Sequence, residues 1–525
     1  MKKIIELLND ELKAAFSACG YDEKYAKVVV SNRPDLCQYQ CNGCMAAAKE
    51  YKKAPAIIAG EVVEKLAESS TFSKVEAVNP GFINMNLSGQ FIADYVKEMG
   101  SHEKFGCDET KKNKTIMLDY GGANVAKPLH VGHLRPAIIG ESLKRICAYN
   151  GYDTVGDVHL GDWGLQMGLI IMELKNRKPE LPYFDESFTG EYPAEAPFTL
   201  AELEDIYPCA SRKSKEDAEF AEAAHQATVM LQRGHRGYTA IWKHIMNISI
   251  ADLKRNYDNL NVSFDVWKGE SDAKPYIEDM LKSFVDKGYA YESQGALVID
   301  VAQADDKKEI PPCIVRKSDG AALYATTDLA TMIEREKLYH PFKYIYTTDK
   351  RQEMHFTQIF RAAKKTGIVP RDTEMNFLGF GTMNGKDGKP FKTRNGDLLR
   401  LEYLIKDVED AVYNKIKENR DVADDEARAT AKVVGLAAIK YGDLSNQASK
   451  DYIFDIDRFT SFEGDTGPYV LYTIVRIKSI LNKYEQTHGA QSLSVADRMK
   501  DFVAPEGASE TDLCLLLTKF SEVIE

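Results

Sequence analysis

The sequence predicts an α/β protein built around a mostly parallel sheet, with a small α+β domain before the sheet and helices after it. Three observations indicate this architecture. Between residues 114 and 397, short apolar runs alternate with longer amphipathic segments, as in β-α-β units. The first hundred residues contain a hairpin pattern, and from about residue 400 the apolar residues recur at helical spacing. The length of 525 residues allows about three domains, at roughly 150 residues each.

The composition excludes several classes of protein. Hydrophobic residues make up 44% and charged residues 28% of the chain, which is ordinary for a folded domain and unlike collagen, coiled coils or disordered chains. The net charge of −12 argues against a generally basic nucleic-acid binder, but it is compatible with a local basic groove. No apolar run approaches the roughly 20 residues of a membrane span, and no secretory signal is expected. Nine thinly spread cysteines predict reduced thiols and a cytoplasmic protein.

The first predicted domain, residues 1–110, combines helices with a hairpin. The strand at 82–87 alternates apolar and polar residues, and Asn79-Pro80-Gly81 before it is typical of a turn. The polar run at 109–114 predicts a linker. Apolar residues at helical spacing predict helices at residues 6–16, 45–51 and 57–66.

The second predicted domain, residues 111–398, contains the parallel sheet. A long amphipathic helix is expected at 134–149, and the stretch at about 175–265, rich in Glu, Ala and Lys, predicts inserted helices. The third predicted domain, residues 399–525, is helical. The strands of the second domain are expected at residues 115–120, 153–160, 296–301, 314–316, 344–347 and 375–379.

Two histidines follow the first of these strands, after a glycine turn and at the start of a helix. In a first helical turn His130 and His133 would share one face, beside free backbone N–H groups that attract phosphate. Their imidazoles could donate hydrogen bonds to phosphate oxygens and stabilise charge that grows in a transition state. Gly132 would let a flat ring or a ribose approach the backbone. The competing interpretation is a pair of surface histidines, and a zinc pair is disfavoured because no third ligand is evident nearby.

A second candidate phosphate site is the loop after the last predicted strand. Between its glycines the sequence places Lys386, Lys389, Lys392 and Arg394. We expect this loop to be mobile and cationic and to bring Lys389 and Lys392 to the oxygens of a triphosphate. A solvated hairpin with an Asn-Gly or Asp-Gly turn is the competing interpretation.

Together the two segments resemble the paired signatures of class I aminoacyl-tRNA synthetases, and their flanks resemble the arginyl-tRNA synthetase family. The resemblance covers essentially the whole chain, and its motifs are specific in combination. It departs from the family at Gly121-Gly122, where serine or alanine is more frequent, and at Lys389-Pro-Phe-Lys392, which leaves the division of labour among the lysines open. The motifs are Asp119-Tyr-Gly-Gly-Ala-Asn-Val-Ala-Lys-Pro-Leu-His-Val-Gly-His-Leu-Arg135, His159-Leu-Gly-Asp-Trp-Gly164, Tyr324-Ala-Thr-Thr-Asp-Leu-Ala330, Phe391-Lys-Thr-Arg394 and Phe462-Glu-Gly-Asp-Thr-Gly-Pro-Tyr-Val-Leu-Tyr472.

The resemblance implies a Rossmann-like catalytic core with inserted helices, an N-terminal domain that contacts the elbow of tRNA, and a helical bundle that binds the anticodon. The implied reaction joins arginine and ATP into arginyl-adenylate and then transfers arginine to the 3' end of its tRNA. ATP would enter with Mg²⁺ as substrate, and no tightly bound protein metal is expected. A cytoplasmic monomer is expected. The family usually continues for several more helices, so the chain is expected to be truncated at its C-terminus.

Recognition of arginine requires planar, bidentate acceptors, because a guanidinium group is a rigid and permanently charged fork. Asp328 and Asp119 are the candidates, and Tyr324 lies one helical turn before Asp328. The resemblance assigns Asp328 and Tyr324 to the guanidinium end. It assigns Asn124, Asp119 and Gln352 to the arginine backbone and the pocket wall. A helix-start carboxylate and a core aromatic are the competing interpretations of Asp328 and Tyr324.

The resemblance also implies the catalytic and ATP-binding residues. His130, Gly132, His133, Lys389 and Lys392 would bind ATP, and Lys127 could share the phosphate role. The full signature motif comprises Ala123, Asn124, Val125, Ala126, Lys127, Pro128, Leu129, His130, Val131, Gly132 and His133.

Three other functions compete with this interpretation. Cys37, Cys41 and Cys44 have a spacing that can hold an iron–sulfur cluster, but the resembling N-terminal domains carry no metal. A tRNA-binding paralogue that no longer aminoacylates is disfavoured by the presence of both the histidine pair and the lysine loop. A nucleotidyltransferase of the same superfamily is disfavoured by the long helical C-terminus.

Overall fold

The chain folds into two compact units. The first comprises Met1–Lys112, Tyr149–Gly151 and Ile480–Glu525, and the second comprises Asn113–Ala148 and Tyr152–Ser479. Among the helices described, none has both the length and the apolar character that crossing a bilayer requires. The structure, a computed structural model, describes residues 1–107, 111, 113–318, 320, 322–389, 391, 399–419, 421–488 and 495–525.

Helices supply most of the secondary structure in these ranges. The helices are α1 (Ile4–Ala18), α2 (Gly43–Tyr51), α3 (Pro55–Leu66), α4 (Gly89–Ser101), α5 (Leu134–Tyr149), α6 (Leu165–Arg177), α7 (Leu200–Glu216), α8 (Ala218–Gln232), α9 (Arg236–Asn259), α10 (Glu270–Asp286), α11 (Tyr324–Tyr339), α12 (Glu353–Thr366), α13 (Leu401–Asn419), α14 (Asp424–Leu444), α15 (Ile456–Phe459), α16 (Gly467–His488), α17 (Val495–Met499), α18 (Ala508–Thr518) and α19 (Phe520–Ile524). The strands are β1 (Val28–Val30), β2 (Tyr39–Cys41), β3 (Phe72–Val78), β4 (Phe82–Leu87), β5 (Thr115–Asp119), β6 (Asp153–Asp157), β7 (Tyr291–Ser293), β8 (Ala296–Ile299), β9 (Cys313–Arg316), β10 (Lys343–Asp349), β11 (Glu374–Phe380), β12 (Met383–Asn384) and β13 (Tyr452–Ile453).

The first unit packs helices on an antiparallel sheet of order β1-β2-β4-β3. Its predicted hairpin is confirmed as β3 and β4, and each of its first three helices starts two residues before the predicted position. Helix α1 buries a stripe four residues apart, because one face of a helix repeats at that spacing. The stripe consists of Ile4, Leu8, Leu12 and Phe16.

The three clustered cysteines belong to this unit and are buried in it. Burial raises the pKa of the Cys44 thiol to about 12 and also raises the pKa of Cys41. The Cys41 sulfur accepts a hydrogen bond from the Gly43 N–H. Cys41 and Cys44 pack among the apolar side chains of the core of this unit, as small core residues do. Among the described residues, the group spaced for a metal ion does not include these cysteines.

The second unit is centred on a parallel sheet of order β11-β10-β5-β6. Strand β5 lies inside the sheet and alternates between two cores, with Ile116 and Leu118 in one and Met117 in the other. Because both faces of β5 are buried, its sequence is a nearly continuous apolar run. Helix α5 connects β5 to β6, and α12 connects β10 to β11. The prediction of a parallel sheet with crossover helices is therefore confirmed.

Two details of the predicted sheet are wrong. The strands expected at 296–301 and 314–316 form β8 and β9, which belong to a separate antiparallel sheet with β7. The strand expected at 153–160 leaves the parallel sheet after Asp157. From there the chain pairs with the segment before α10, where the Leu160 N–H donates to the Lys268 carbonyl at 2.8 Å. This pairing carries the start of α10 to the edge of the sheet.

The carboxyl ends of the four parallel strands meet at one edge. These ends are Asp119, Asp157, Asp349 and Phe380. From β5 the chain runs outward to β6 on one side, and β10 lies on the other side, so the connections diverge at β5. Ligands of open parallel sheets bind at such a switch point.

A buried ion pair fixes the start of α5 against the helical region of this unit. Arg135 on α5 and Asp443 on α14 are 1% and 0% exposed, and Arg135 Nε lies 2.9 Å from Asp443 Oδ1. The Tyr452 hydroxyl donates to the same carboxylate oxygen at 2.8 Å. Breaking a buried pair leaves one charge uncompensated in a medium of low dielectric constant.

The substitution Asp443→Ala should lower the free energy of unfolding of this unit by about 3–5 kcal/mol, because it leaves the Arg135 guanidinium buried without its carboxylate. Tryptophan fluorescence during denaturant unfolding measures the change, since Trp163, Trp242 and Trp267 all belong to this unit.

The matched control is Asp410→Ala, which removes the partner of Arg428 from a pair with 53% and 44% exposed side chains. An exposed pair of this kind contributes about 0–1 kcal/mol. Equal losses in the two variants would contradict the importance of the buried pair.

Candidate active site

A cavity of about 380 Å³ opens at the carboxyl edge of the parallel sheet, within the second unit. It brings together most of the residues that the sequence singles out, including side chains more than two hundred positions apart. The predicted residues in its wall are Asp119, Ala123, Asn124, His130, Gly132, His133, Tyr324, Asp328 and Gln352. The remaining signature residues Val125, Ala126, Leu129 and Val131 are buried in the core beneath the cavity.

The two histidines lie in a 3₁₀ turn, Val131–His133, which precedes α5. Their rings are adjacent, with centroids 4.0 Å apart. The Gly132 N–H donates to His130 Nδ1 at 3.0 Å, and the His130 N–H donates to His133 Nδ1 at 3.1 Å. Each imidazole thus uses Nδ1 as an acceptor, which leaves the proton of its neutral form on Nε2.

The expectation of free backbone N–H groups at this turn is wrong. The Val131 N–H donates to the Leu399 carbonyl at 3.0 Å, and the His133 N–H donates to the His130 carbonyl at 2.8 Å. Gly132 donates to an imidazole, as described above. These N–H groups already have acceptors in the protein, so a ligand at this turn would rely on side-chain donors.

The absence of a side chain at Gly132 also has a steric explanation that does not involve a ligand. A Cβ at this position would lie 2.7 Å from His130 Cε1. The His130 ring can fold back over its own turn only because residue 132 has no side chain.

Both imidazoles are electrically neutral near pH 7. Burial, together with the neighbouring His130, lowers the pKa of His133 to about 3. Burial and the nearby Lys127 charge lower the pKa of His130. The pair therefore offers two uncharged Nε2–H donors, and positive charge at this end of the cavity must come from other groups.

Carboxylates form another part of the cavity wall, called the acidic end below, and the part around His130 and His133 is called the histidine end. Asp328 Oδ2 lies 2.6 Å from His355 Nε2, and Glu270 stands at the first position of α10 in the same wall. Burial, together with the charges of Asp162 and Asp328, raises the pKa of Glu270 to about 7. Tyr324 is 73% exposed, which excludes the interpretation of this residue as a core aromatic.

Asp119 contributes to the wall but already has a partner. Arg335 Nη2 donates to Asp119 Oδ2 at 2.7 Å and to Asp157 Oδ2 at 2.6 Å. Burial raises the pKa of Asp119, and the charge of Arg335 opposes that rise. His159 lies beside this group, with Nδ1 3.8 Å from Asp157 Oδ2. Within the described residues, Asp119, Asp157 and His159 form the one group spaced for a metal ion, and the Arg335 guanidinium is hydrogen-bonded to both of its carboxylates.

Asn124 is fixed in the wall by the backbone around Gly161. The Gly161 N–H donates to the Ala123 carbonyl at 3.0 Å, and the Val125 N–H donates to the Gly161 carbonyl at 3.1 Å. A Cβ at Gly161 would lie 2.2 Å from Asn124 Oδ1. The glycine of the His159–Gly164 motif therefore makes room for the Asn124 amide.

Of the predicted lysines, the described ones are not part of the cavity wall. The Lys127 ammonium sits 4.5 Å from the centre of the Tyr207 ring. Lys389 is exposed, and its N–H donates to Asp387 Oδ1 at 3.1 Å. Lys386 is engaged by carboxylates, 2.8 Å from Asp457 Oδ2 and 3.2 Å from Asp455 Oδ1. Lys392 lies outside the described residues.

Two more predicted residues lie at the edges of this arrangement. Gln352 ends a 3₁₀ turn that follows β10 and lines the cavity. Pro128 lines a separate recess of about 250 Å³ together with Leu129 and Arg400.

Sequence reasoning missed Glu270, His355, His159 and Phe380 as members of the cavity wall. Glu270 follows Lys268-Gly269 in a segment without motif or periodicity, and only its pairing with the 157–161 segment places it here. His355 had a usable signal, because it lies three residues after Gln352 at the start of α12.

Comparisons with known proteins agree with this geometry. The family model described as "tRNA synthetases class I (R), catalytic domain" matches residues 96–456, and the one described as "Arginyl tRNA synthetase N terminal domain" matches residues 2–87. The arginine–tRNA ligase of Agathobacter rectalis is 60% identical over 533 residues, which cover 100% of this chain and 88% of that protein. The arginine–tRNA ligase of Alkaliphilus oremlandii is 56% identical over 525 residues, with the same coverage.

A solved structure supports the same fold. The arginyl-tRNA synthetase of Plasmodium falciparum superposes with a TM-score of 0.79 at 24% identity, covering 100% of this chain and 87% of that one. At this level of identity the likeness concerns the fold.

The pKa of His133 predicts a pH dependence of stability. The folded value of about 3 lies below the unfolded value of about 6.5, so the unfolded chain binds more protons and the free energy of unfolding should fall as pH drops below about 6.5. NMR titration of the His133 ring measures the pKa values on which this prediction rests. We expect no midpoint between about pH 8 and pH 5 in the folded protein and a midpoint near 6.5 in urea; a folded midpoint near 6.5 would contradict the burial.

Proposed function

Because the chain belongs to the arginyl-tRNA synthetase family, we propose that the cavity at the carboxyl edge of its parallel sheet is where arginine and ATP react. The overall reaction is that of the family, the ligation of arginine to tRNA. Arginyl-adenylate and pyrophosphate form first, and arginine then moves to the 3' end of the tRNA. One observation carries the proposal: the wall of a single cavity includes both neutral imidazole donors and carboxylates.

The histidine end suits the phosphates of ATP. The arginine carboxylate attacks the α-phosphate in line, so catalysis requires positioning and stabilisation of charge on the phosphate oxygens. We assign His130 and His133 to this task as neutral Nε2–H donors, since their Nδ1 atoms are already acceptors. Gly132 keeps the His130 ring in place. Lys389, Lys392 and Lys127, together with the Mg²⁺ that enters with ATP, are proposed to supply the positive charge.

The acidic end suits the guanidinium group of arginine. Asp328 offers a carboxylate to this group. The hydrogen bond between His355 Nε2 and Asp328 Oδ2 fixes the orientation of the carboxylate. Glu270 lies in the same wall and adds a second acceptor, and Tyr324 stands one turn before Asp328 at the mouth. A flat guanidinium can form two parallel hydrogen bonds to one carboxylate, whereas the ammonium of lysine has no planar fork with which to do so, and the site should therefore reject lysine. Asn124, Gln352 and Asp119 are proposed to bind the backbone of arginine and form the pocket wall.

The remaining expectations also stay proposals. We propose that residues 1–110 contact the tRNA elbow and that residues 399–525 contact the anticodon loop, with residues 111–398 as the catalytic domain. A monomer in the cytoplasm is proposed, and light scattering of the purified protein tests the first part. Binding of tRNA to a chain of charge −12 would use local basic surface and weaken as salt rises.

ATP–pyrophosphate exchange tests the proposed function. Wild-type protein is incubated with ATP, labelled pyrophosphate and arginine, with and without tRNA. Label should enter ATP when arginine and tRNA are both present, and lysine should not replace arginine. Exchange driven by another amino acid, or none with arginine and tRNA, would overturn the assignment.

The substitution Asp328→Ala should lower kcat/KM for arginine between about 30-fold and 5,000-fold, the range that corresponds to about 2–5 kcal/mol for removing one partner of a buried charge pair. The KM for ATP should remain close to that of the wild type, because Asp328 lies at the other end of the cavity. Asp279→Ala is the matched control, since Asp279 is exposed on α10. Near-normal arginine activation by Asp328→Ala would refute the role of this carboxylate.

The pKa of Glu270 predicts how arginine binding depends on pH. Above a pH of about 7 Glu270 is ionised and attracts the guanidinium, and below it the carboxyl is protonated and attracts it less. The KM for arginine should therefore rise as the pH is lowered from 8 to 6. The variant Glu270→Gln should have a higher KM that no longer varies over this range. A KM for arginine that is independent of pH in the wild type would contradict the assignment.

A further inference from the structure

The chain between the cavity and the lysine loop runs through a short segment, Gly381–Asn384, which we call the stem. Phe380, immediately before the stem, lines the cavity. Lys389, five residues after the stem, is the described lysine of the loop that we propose to act on ATP. The position of the stem therefore decides where the loop starts relative to the cavity.

From the inside, the stem is held by Arg135. Its Nη1 donates to the Gly381 carbonyl at 2.7 Å and to the Lys450 carbonyl at 3.0 Å, and its Nε pairs with Asp443. The ring of Tyr452 lies below the guanidinium, 4.9 Å from its central carbon. Arg135 is 1% exposed, so these contacts form away from solvent, where they are strong.

From the outside, the stem is held by Asp451. Its Oδ1 accepts the Thr382 N–H at 2.8 Å and lies 2.8 Å from Lys350 Nζ. The Lys350 ammonium and the Thr382 N–H lower the pKa of Asp451. This carboxylate is half exposed, so it is available for substitution without opening the core.

Backbone hydrogen bonds also hold the stem in place. Strand β12, the second half of the stem, pairs in parallel with β13, and the Gly381 N–H donates to the Ala448 carbonyl at 2.9 Å. A Cβ on Gly381 would lie 2.4 Å from the Lys450 carbonyl carbon, so the approach is too close for any side chain. The stem thus has one position against the segment that precedes α15.

We infer that Arg135 and Asp451 are positioning residues for the adenylation step, which clamp the stem from two sides and fix Phe380 and the start of the Lys389 loop relative to the histidine turn. Arg135 lies two residues after His133, so the same guanidinium joins the histidine turn to the stem. Neither residue lines the cavity wall. The inference rests on the proposed function, because it concerns the placement of a lysine that acts on ATP.

The direction of the effect follows from this geometry. The histidines are neutral, so the lysine ammonium supplies charge that the phosphates need, and its contribution depends on its distance from them. Releasing the stem should impair the use of ATP and leave the arginine end untouched. A purely structural clamp would instead change stability without separating the two substrates.

The test measures exchange kinetics of the full chain with arginine, tRNA and varied ATP. For Asp451→Ala and for Arg135→Lys, whose ammonium cannot reach all three acceptors of the fork, kcat/KM for ATP should fall about tenfold, as expected for a small misplacement of a catalytic group. The KM for arginine should not change. Glu374→Ala is the control, because it removes an exposed carboxylate, 2.7 Å from Lys343 Nζ, at the opposite end of the strand that leads into the stem.

A double variant separates positioning from a direct effect. If the clamp acts by placing Lys389, then Asp451→Ala should cause little further loss in a Lys389→Ala background. Wild-type kcat/KM for ATP in Asp451→Ala, or an undiminished loss in the Lys389→Ala background, would overturn the inference. Because Asp451 is half exposed, this variant decides the matter even if Arg135→Lys does not fold. Lack of arginine-dependent exchange in the wild type would instead refute the proposed function.

Discussion

The arrangement of the cavity depends on one buried guanidinium. Arg335, 3% exposed on α11, binds Asp119 at the end of β5, Asp157 at the end of β6 and the hydroxyl of Tyr346 on β10. Two carboxylates at adjacent strand ends would repel each other if no cation lay between them. The guanidinium also holds three strands at the edge where the cavity opens. Its fork shape matters, because a single ammonium could not bind acceptors on three strands at once.

This constraint divides the charge of the cavity into two ends. At the acidic end, Asp328 and Glu270 line the same wall. Burial, together with the charges of Asp162 and Asp328, raises the pKa of Glu270 to about 7. At the histidine end, burial lowers the pKa of both imidazoles, assisted by Lys127 for His130 and by His130 for His133. The polarity of the site thus matches a substrate pair in which one partner is a cation and the other is a polyanion.

The sequence predicts the part of this site that is local in the chain. Strand β5, the glycine turn and the histidines follow one another within twenty residues, and hydrophobic periodicity with a motif suffices to place them. Arg335 could not be found in this way, because in sequence it is one more cation on a helix and its partners come from three strands. Glu270 depends on a pairing between segments far apart. The expectation of free N–H groups was wrong because a generic helix start does not reveal that His130 folds back on its own turn.

The neutrality of the histidines has a consequence for the rest of the unit. Uncharged donors can orient a triphosphate, but they cannot balance its charge, so the proposed function requires positive charge from other groups, for which we propose Mg²⁺ and the lysines. Lysines outside the wall contribute only if the chain that carries them is fixed in place. The buried guanidinium of Arg135 supplies that fixation at considerable desolvation cost, with Asp443 as its counter-ion. The positioning of a lysine therefore explains the buried Arg135–Asp443 pair better than stability does. Well-packed apolar residues would stabilise the fold equally well.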